Sequence, residues 1–421
     1  MSREDDKNIQ RQELARRREA KRLERERQIK KLKIMLAVCV VSFVLIAAGL
    51  VALIIHLVPE DGGKSGGDKA DSSVDAEVSS YSESTQTDGE EDSSRVFNTF
   101  NDEGTPGDAA ESLEKDFDID MTFVGDCCMA SNLEDSSYGT LLWYESNADT
   151  TYFFSGVRSY FDDDITIANC ENTFSDRSVA PRDKGEGPAY WFKSPAWFAK
   201  VFTDNSIEAV TINNNHTNDY GPEVFEDTKA ALDAAGVRWG FRDNIIYYEE
   251  EGFKVGVVCV SYYSYSEAEG ILPYLELAKE NSDFQVIYFH GGVEGAYQPE
   301  DWKVQACHML VDNGADLILG AHPHVLQKRE NYNGVDIVYS LGNFCFGGNN
   351  NPVSNRTIIY KYKLKVHETD EGYDVTAKEE EMIPCYVYTG STNNWQPYPI
   401  EDQETVDRVI RYMNGELDLP N

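Results

Sequence analysis

The chain has 421 residues and a formal net charge of −36. With no basic patch or RNA motif to offset it, that acidity excludes a nucleic-acid binder. It also disfavours holding a polyanion unless metal ions or local Lys/Arg intervene, and the length allows a tail, a linker and one large domain or two small ones.

Residues 1–33 form a charged segment with both signs interspersed and Lys/Arg in excess. The run Ile34 to Val58 then carries no Asp, Glu, Lys or Arg. It exceeds the ~20 residues needed to cross a bilayer. It is too long for the ~7–15-residue core of a signal peptide and is followed by no small-x-small cleavage site. The basic flank precedes the run and acidic residues follow it. The positive-inside rule therefore sets the N-terminus in the cytoplasm and everything after Pro59 outside, in a single-pass protein of the cell membrane. The basic run is read as this topology signal in preference to a nucleic-acid or acidic-lipid patch. Residues 59–116 shift to Gly, Ser, Asp and Glu. With few large apolar residues they cannot offset their ordering entropy, and they read as a disordered tether.

A folded domain is expected over 117–400, with a C-terminal helix and tail over 401–421, the helix at Glu404–Met413 read as a surface element. Strands are expected at Asp118–Gly125, Ile165–Cys170, Ala209–Asn213, Lys254–Ser261, Gln285–Phe289 and Asp316–Leu319. Helices are expected around Gly156–Phe161, from Pro222 to a C′ glycine at Gly236, near Leu275–Asn281 and over Asp301–Asn313. After His324 the pattern becomes antiparallel. The Asn333-Gly334 turn between alternating runs signals a hairpin, and strands at Thr357–His367 and Asp374–Pro384 follow. Strand–helix alternation followed by hairpins predicts an α/β fold with mixed sheets. Eight cysteines, with Cys39 in the apolar run and no Cys-x-x-Cys, read as buried small apolar residues rather than disulfides.

The strand ends carry the chemistry. The chain has seven histidines, and His322 and His324 flank Pro323 where DLILGA ends. Alternate residues of extended chain point the same way, so both imidazoles can aim at one metal. Asp126 follows MTFV, Asn169-Cys170-Glu171 closes ITIA, and Asn214-Asn215-His216 closes AVTIN with Asp219 beyond. His290 closes QVIYF. Each has an ordinary alternative: Asp126 or Asn214 can cap a helix, Glu171 can sit in a half-buried salt bridge, and His290 can be a core-edge histidine. Ligands in open α/β sheets sit outside the carboxyl ends of the strands, and together these ends suit one or two divalent metals. The aromatic stretch Pro188–Phe202 reads either as helix packing in the core or as the wall of a ligand groove, with Arg182 and Lys193 as anion contacts. Leu341-Gly342-Asn343-Phe344 reads as a tight turn beside the site.

GDCCMA, IANCENTF, NNNHTNDYG, FHGGVE, GADLILGAHPHVLQ and YSLGNFCFG stand in the order and approximate spacing of the CapA (poly-γ-glutamate capsule synthesis) family. That family looks like a divergent branch of the calcineurin-like metallophosphatases. The resemblance covers about Asp118 to Gly348. It implies a metallophosphatase-like four-layer αββα sandwich on a membrane-anchored surface domain. It also implies Asp126, Glu171, Asn215, His290, His322 and His324 as metal ligands, with Glu171 in the bridging position. His216 would clamp or protonate the reacting group, with Asp219 beside it, while Asn169, Asn214 and Asn343 would support the ligands. The chain departs from the superfamily's Asp-x-His at Asp126-Cys127-Cys128, where Cys128 stands in place of a histidine. Oxygen and imidazole donors suit one or two ions of Mn, Fe or Zn. Two functions follow: a metal-dependent hydrolase or transferase acting on an anionic surface polymer, or a non-catalytic accessory holding that polymer or its synthase subunits.

Overall fold

The computed structural model describes residues 115–132, 141–147, 149–186, 188–370 and 372–420. The charged segment 1–33, the apolar run 34–58 and nearly all of the tether lie outside the described residues. Among the described residues no helix is long and apolar enough to cross a membrane.

In chain order the strands are β1 (Asp116–Cys128), β2 (Ile165–Cys170), β3 (Thr173–Phe174), β4 (Lys193–Ser194), β5 (Ala209–Thr211), β6 (Arg238–Gly240), β7 (Ile246–Glu250) and β8 (Phe253–Ser261). Then come β9 (Phe284–His290), β10 (Leu317–Ala321), β11 (Leu326–Tyr332), β12 (Val335–Leu341), β13 (Asn343–Phe346), β14 (Thr357–Thr369), β15 (Gly372–Tyr386) and β16 (Tyr398–Pro399). One sheet runs β16-β15-β14-β1-β2-β5-β6, with β13 also paired to β1, and the other runs β11-β12-β10-β9-β8-β7. Both are mixed. β1 lies parallel to β2 and β13 but antiparallel to β14, and β8, β9, β10 and β12 are mutually parallel.

Alternation along the strands sorts the core into layers, because successive side chains face opposite sides of a sheet. Phe123, Ile167, Tyr360 and Leu364 of the first sheet meet Val257, Val286, Tyr288 and Leu319 of the second in one buried cluster. On the outer face of the first sheet Val124, Ala168 and Val210 pack against Phe202, Ala231 and Leu232. On the outer face of the second, Val258, Ile287 and Ile318 pack against Leu275, Ala306 and Leu310. The order helix, sheet, sheet, helix makes a four-layer αββα sandwich.

Local chemistry explains the element ends. Helix Pro222–Ala235 opens with proline in its first turn and closes on Gly236 at φ 74°, the left-handed conformation that glycine adopts without penalty. Asn333 and Gly334, at φ 53° and 84°, make the turn that joins β11 to β12.

Three expectations are revised. The stretch around Gly156–Phe161 is not an α-helix; only a 3₁₀ turn over Arg158–Tyr160 forms there. The Pro188–Phe202 stretch is extended through β4, then a 3₁₀ turn over Ala196–Ala199 and one helical turn over Lys200–Thr203. Pro195 ends the extended segment, since it fixes φ and supplies no strand donor. Helix Gln403–Met413, read as a surface element, sends Val409, Tyr412 and Met413 into the cluster between the sheets. The hydroxyl of Tyr412 lies 2.6 Å from the carbonyl oxygens of Tyr297 and Leu326. All seven cysteines from Cys127 to Cys385 are free and buried.

Candidate metal centre

The carboxyl ends of β1, β2, β5, β9 and β10 converge, with the β12–β13 turn beside them. Asp126 does not cap a helix. It lies inside β1, which continues to Cys128 because β13 pairs with it. Its amide donates to the Gly342 carbonyl at 2.9 Å. A Cβ on Gly125 would lie 1.9 Å from that same oxygen, so the approach that sets Asp126 needs glycine at 125. Gly342 itself turns at φ 72° and delivers Asn343 to the site.

His322 and His324 hold φ of 97° and 58°. Non-glycine residues rarely adopt these values, and such strain persists where the surroundings over-determine it. The backbone amide of His322 faces both oxygens of Asp126, at 3.4 and 3.3 Å. Its ring lies 4.6 Å from that of His290 and 5.9 Å from that of His324.

A chain of carboxamides fixes the ring orientations. Asn214 Nδ2 donates to Asn169 Oδ1 at 3.2 Å and to the Cys170 carbonyl at 2.8 Å. That turns Asn169 Nδ2 towards Asp126 Oδ1 at 2.7 Å and His290 Nδ1 at 3.1 Å. His290 Nε2 lies 2.9 Å from Asn215 Oδ1. His324 Nδ1 donates to Asn343 Oδ1 at 2.9 Å and lies 3.2 Å from Asp126 Oδ2. Asn169 and Asn343 therefore contact the candidate ligands directly, and Asn214 acts through Asn169.

Glu171 is the centre of the cluster. It is fully buried and, among the described residues, neither carboxylate oxygen has a hydrogen-bond partner, while Nδ1 of His322 is likewise unpartnered. His216, His290 and His324 each place Nε2 3.7–3.8 Å from Glu171 Oε1. A buried carboxylate left unpaired is costly unless it meets a counter-charge. Glu171, His322 and His324 offer ligand atoms all within 4.8 Å of one another, as do Asp126, Glu171 and His290. Glu171 belongs to both groups, so it can bridge two ions. The donors present fit divalent metal, with the second group weighted to oxygen.

The electrostatics of the cluster follow from burial and from the charges its members place on one another. Burial, reinforced by Asp126, pushes the Glu171 carboxyl well above its usual range, with His324 opposing. Burial and the His324 charge lower His322 to about 3, and burial with the neighbouring imidazoles holds His290 well down. For His324 burial acts downward, but Glu171 and Asp126 outweigh it and raise the ring to about 10.

His216 stands at the edge of this cluster. Its Nδ1 lies 2.8 Å from Asp219 Oδ2, its backbone amide donates to Asn214 Oδ1 at 3.0 Å, and its ring packs 4.4 Å from that of Phe192. Asp219 is buried, accepts from the Phe192 amide at 2.8 Å and pairs with Lys184 Nζ at 2.6 Å. Burial lowers the His216 pKa, against the pull of Asp219.

Not every expected residue reaches the site. Cys128 is in neither ligand group; its thiol lies 3.4 Å from the Ala130 carbonyl, in a small apolar cluster with Phe192 and Phe346. Lys193 Nζ donates to the Arg177 carbonyl and lies over the Tyr220 ring. The backbone of Arg182 brackets Asp219 and Trp191. Neither Lys193 nor Arg182 lines the cleft of about 510 Å³ above His216 and His324. That cleft is walled instead by Tyr190 and Phe192, from the aromatic stretch read either as core packing or as a groove wall, and by Phe346 and Glu294, for which the sequence offered no such reading. Glu294 stands inside FHGGVE, four residues past His290, but nothing in that motif shows what the loop faces.

The model of the family described as bacterial capsule synthesis protein PGA_cap matches residues 120–266 and 246–348. A PGA biosynthesis protein CapA from Bacillus subtilis (strain 168) is 32% identical over 199 residues, which are 42% of this chain and 52% of the relative. A capsule biosynthesis protein CapA from Bacillus anthracis is 25% identical over 323 residues, 70% of this chain and 72% of the relative. The chain thus spans about half the length of the first of these relatives. Among solved structures it is similar to a calcineurin-like phosphoesterase from Bacillus subtilis, at 14% identity and TM-score 0.39 over 67% of this chain and 95% of that one. It is also similar to a phosphatase from Mycoplasma pneumoniae, at 13% identity and TM-score 0.36 over 64% and 94%.

Proposed function

As the chain belongs to the bacterial capsule synthesis protein family PGA_cap, we propose that it acts in making, exporting or anchoring a poly-γ-glutamate-like surface polymer. On this reading it is a metal-dependent hydrolase or transferase. It is held in the cell membrane by residues 34–58 with its N-terminus in the cytoplasm and its folded domain outside. One observation carries the catalytic part: the buried, unpartnered Glu171 carboxylate shared by two groups of ligand atoms.

Asp126, Glu171, His290, His322 and His324, with Asn215, would hold the metal, and Mn, Fe or Zn suit these donors. When bound, such a metal supplies Lewis acidity towards an amide or phosphoryl group. The chain's own residues do the rest. Asn169 and Asn343 fix the imidazole orientations, and Asp219 holds His216 so that Nε2 faces the centre. His216 is then placed to give a proton to, or clamp, the group that departs. Phe192 and Phe346 pack against the rings of His216 and His324.

A second reading, an accessory subunit that binds the polymer or its synthase without chemistry, is favoured by Cys128 standing where a ligand histidine would be. One experiment separates the two. The full-length protein is purified and its metal measured, and γ-glutamyl oligomers are then offered with and without chelator. Metal-dependent release or transfer of γ-glutamyl units supports the enzyme. Wild-type polymer output from cells whose only copy carries His322→Ala and His324→Ala, with metal gone, would establish the accessory.

A further inference from the structure

Asp219 carries more partners than holding one imidazole requires. Its Oδ2 accepts from the Phe192 amide at 2.8 Å and meets His216 Nδ1 at 2.8 Å. Oδ1 is left to Lys184 Nζ, 2.6 Å away. Its backbone carbonyl accepts from the Arg182 amide at 2.7 Å. Three of these four contacts come from one stretch, the residues that join β3 to β4.

Local chemistry brings Lys184 inward from that stretch. Residues 176–186 are exposed, but Gly185 turns at φ 81° and its amide donates to Asp183 Oδ1 at 2.8 Å. Lys184 Nζ also donates to the Tyr190 carbonyl at 2.6 Å, and Trp191 Nε1 donates to the Arg182 carbonyl at 2.8 Å. The stretch is thus tied to itself and, through Lys184, to the carboxylate that holds His216.

The Asp219 side chain is fully buried, whereas that of Lys184 is 27% exposed. A buried carboxylate persists as an anion only with a counter-charge and hydrogen bonds. Among the described residues Lys184 is the one Lys or Arg within ion-pair distance of it. An ionised carboxylate accepts hydrogen bonds and donates none, so it keeps a proton on His216 Nδ1 and leaves Nε2 to face the centre. We propose that Lys184 is a positioning residue, acting through Asp219 to fix the imidazole of His216 against the metal centre. The reaction that the ring then serves is the one proposed above; the placement of the ring does not depend on it.

The test uses purified full-length protein, loaded with zinc and carrying isotope-labelled histidine, and reads the ring-nitrogen resonances. Those of His216 are the ones absent from His216→Gln. In the wild type Nδ1 should carry a proton. Lys184→Met should shift the His216 signals towards the other tautomer, and Lys184→Arg should restore them. Added to Asp219→Asn, Lys184→Met should change nothing further, because Lys184 acts through that carboxylate. A wild-type ring with no proton on Nδ1, or unchanged signals in Lys184→Met, overturns the proposal. Shifts that add in the double variant overturn it too, since the lysine would then reach the ring by another route. On the same proteins, kcat for a phosphoester or γ-glutamyl probe should fall about tenfold or more in Lys184→Met, with KM within about twofold, and recover in Lys184→Arg. A wild type that turns over neither probe removes the proposed reaction, while the ring signals still decide the role of Lys184.

Discussion

His216 Nδ1 lies 2.8 Å from Asp219 Oδ2, and this contact turns the opposite ring nitrogen towards Glu171. The imidazole is a member of neither ligand group, so its role separates from metal holding. His216→Ala should retain metal and fold while turnover of a γ-glutamyl or phosphoester probe falls by about 10²–10⁴-fold. Asp219→Asn should act in the same direction through a misplaced ring. Loss of metal from His216→Ala, measured by elemental analysis, would show that the histidine is a ligand.

Glu171 should respond in opposite senses with and without metal. The carboxyl is buried with no hydrogen-bond partner among the described residues and burial raises its pKa, so in chelator-treated protein near neutral pH Glu171→Gln should raise the melting temperature by removing the cost of holding it protonated. In the metal-loaded protein the same change should lower it, because an ion at about a hundred times its dissociation constant contributes roughly 2.7 kcal/mol. Identical shifts in both states, read by calorimetry, would remove Glu171 from the ligand set.

The contact between Gly125 and Gly342 allows a steric test. A Cβ at 125 would stand 1.9 Å from a backbone oxygen that Asp126 uses. Gly125→Ala should cost on the order of 3 kcal/mol and reduce metal uptake. Gly236→Ala, at a helix end with open space around it, should cost about 1 kcal/mol from backbone strain alone. Comparable costs at the two positions in denaturant melts would contradict the assigned close approach.

Stability should fall across neutral pH through Glu145, far from the metal ligands in sequence. Burial raises its carboxyl from 4.5 to about 7, with a hydrogen bond to Ser194 opposing. A carboxyl whose folded pKa exceeds its unfolded one contributes stability that is complete below about 4.5 and is lost as pH rises through 7. Allowing for solvent screening the loss is on the order of 2 kcal/mol. Glu145→Gln should flatten this part of the stability–pH curve; an unchanged slope between pH 5 and 8 would refute it.

Much of this could be read along the chain, for physical reasons that also mark where reading stops. The strand β2 and the helix beginning at Pro222 have their own periodicity, proline and glycine signals, so local sequence suffices. His322 and His324 announce themselves because a short apolar strand ends on them. The continuation of β1 past Gly125 could not be seen locally, since β13 is short and pairs from far along the chain. The same limit hid the rest of the cleft wall: Phe192 lies in the stretch read as core packing or groove wall, but Phe346 and Glu294 come from two other segments that no spacing rule relates to it. The aromatic run at Pro188–Phe202 suggested a helix because its apolar residues are dense. Pro195 and the pairing of β4 with β3 hold part of it extended instead.

The place of β1 has a consequence for how the protein is made. Its Asp116 pairs with His367, and its Asp126 with Asn343, so the strand that starts the domain is completed by strands synthesised near its end. Long-range pairings of this kind form late. During translation Asp126 and Glu171 exist long before His322, His324 and Asn343 emerge. A nascent or truncated chain therefore lacks the full ligand set, and ion capture becomes a mark of completed synthesis.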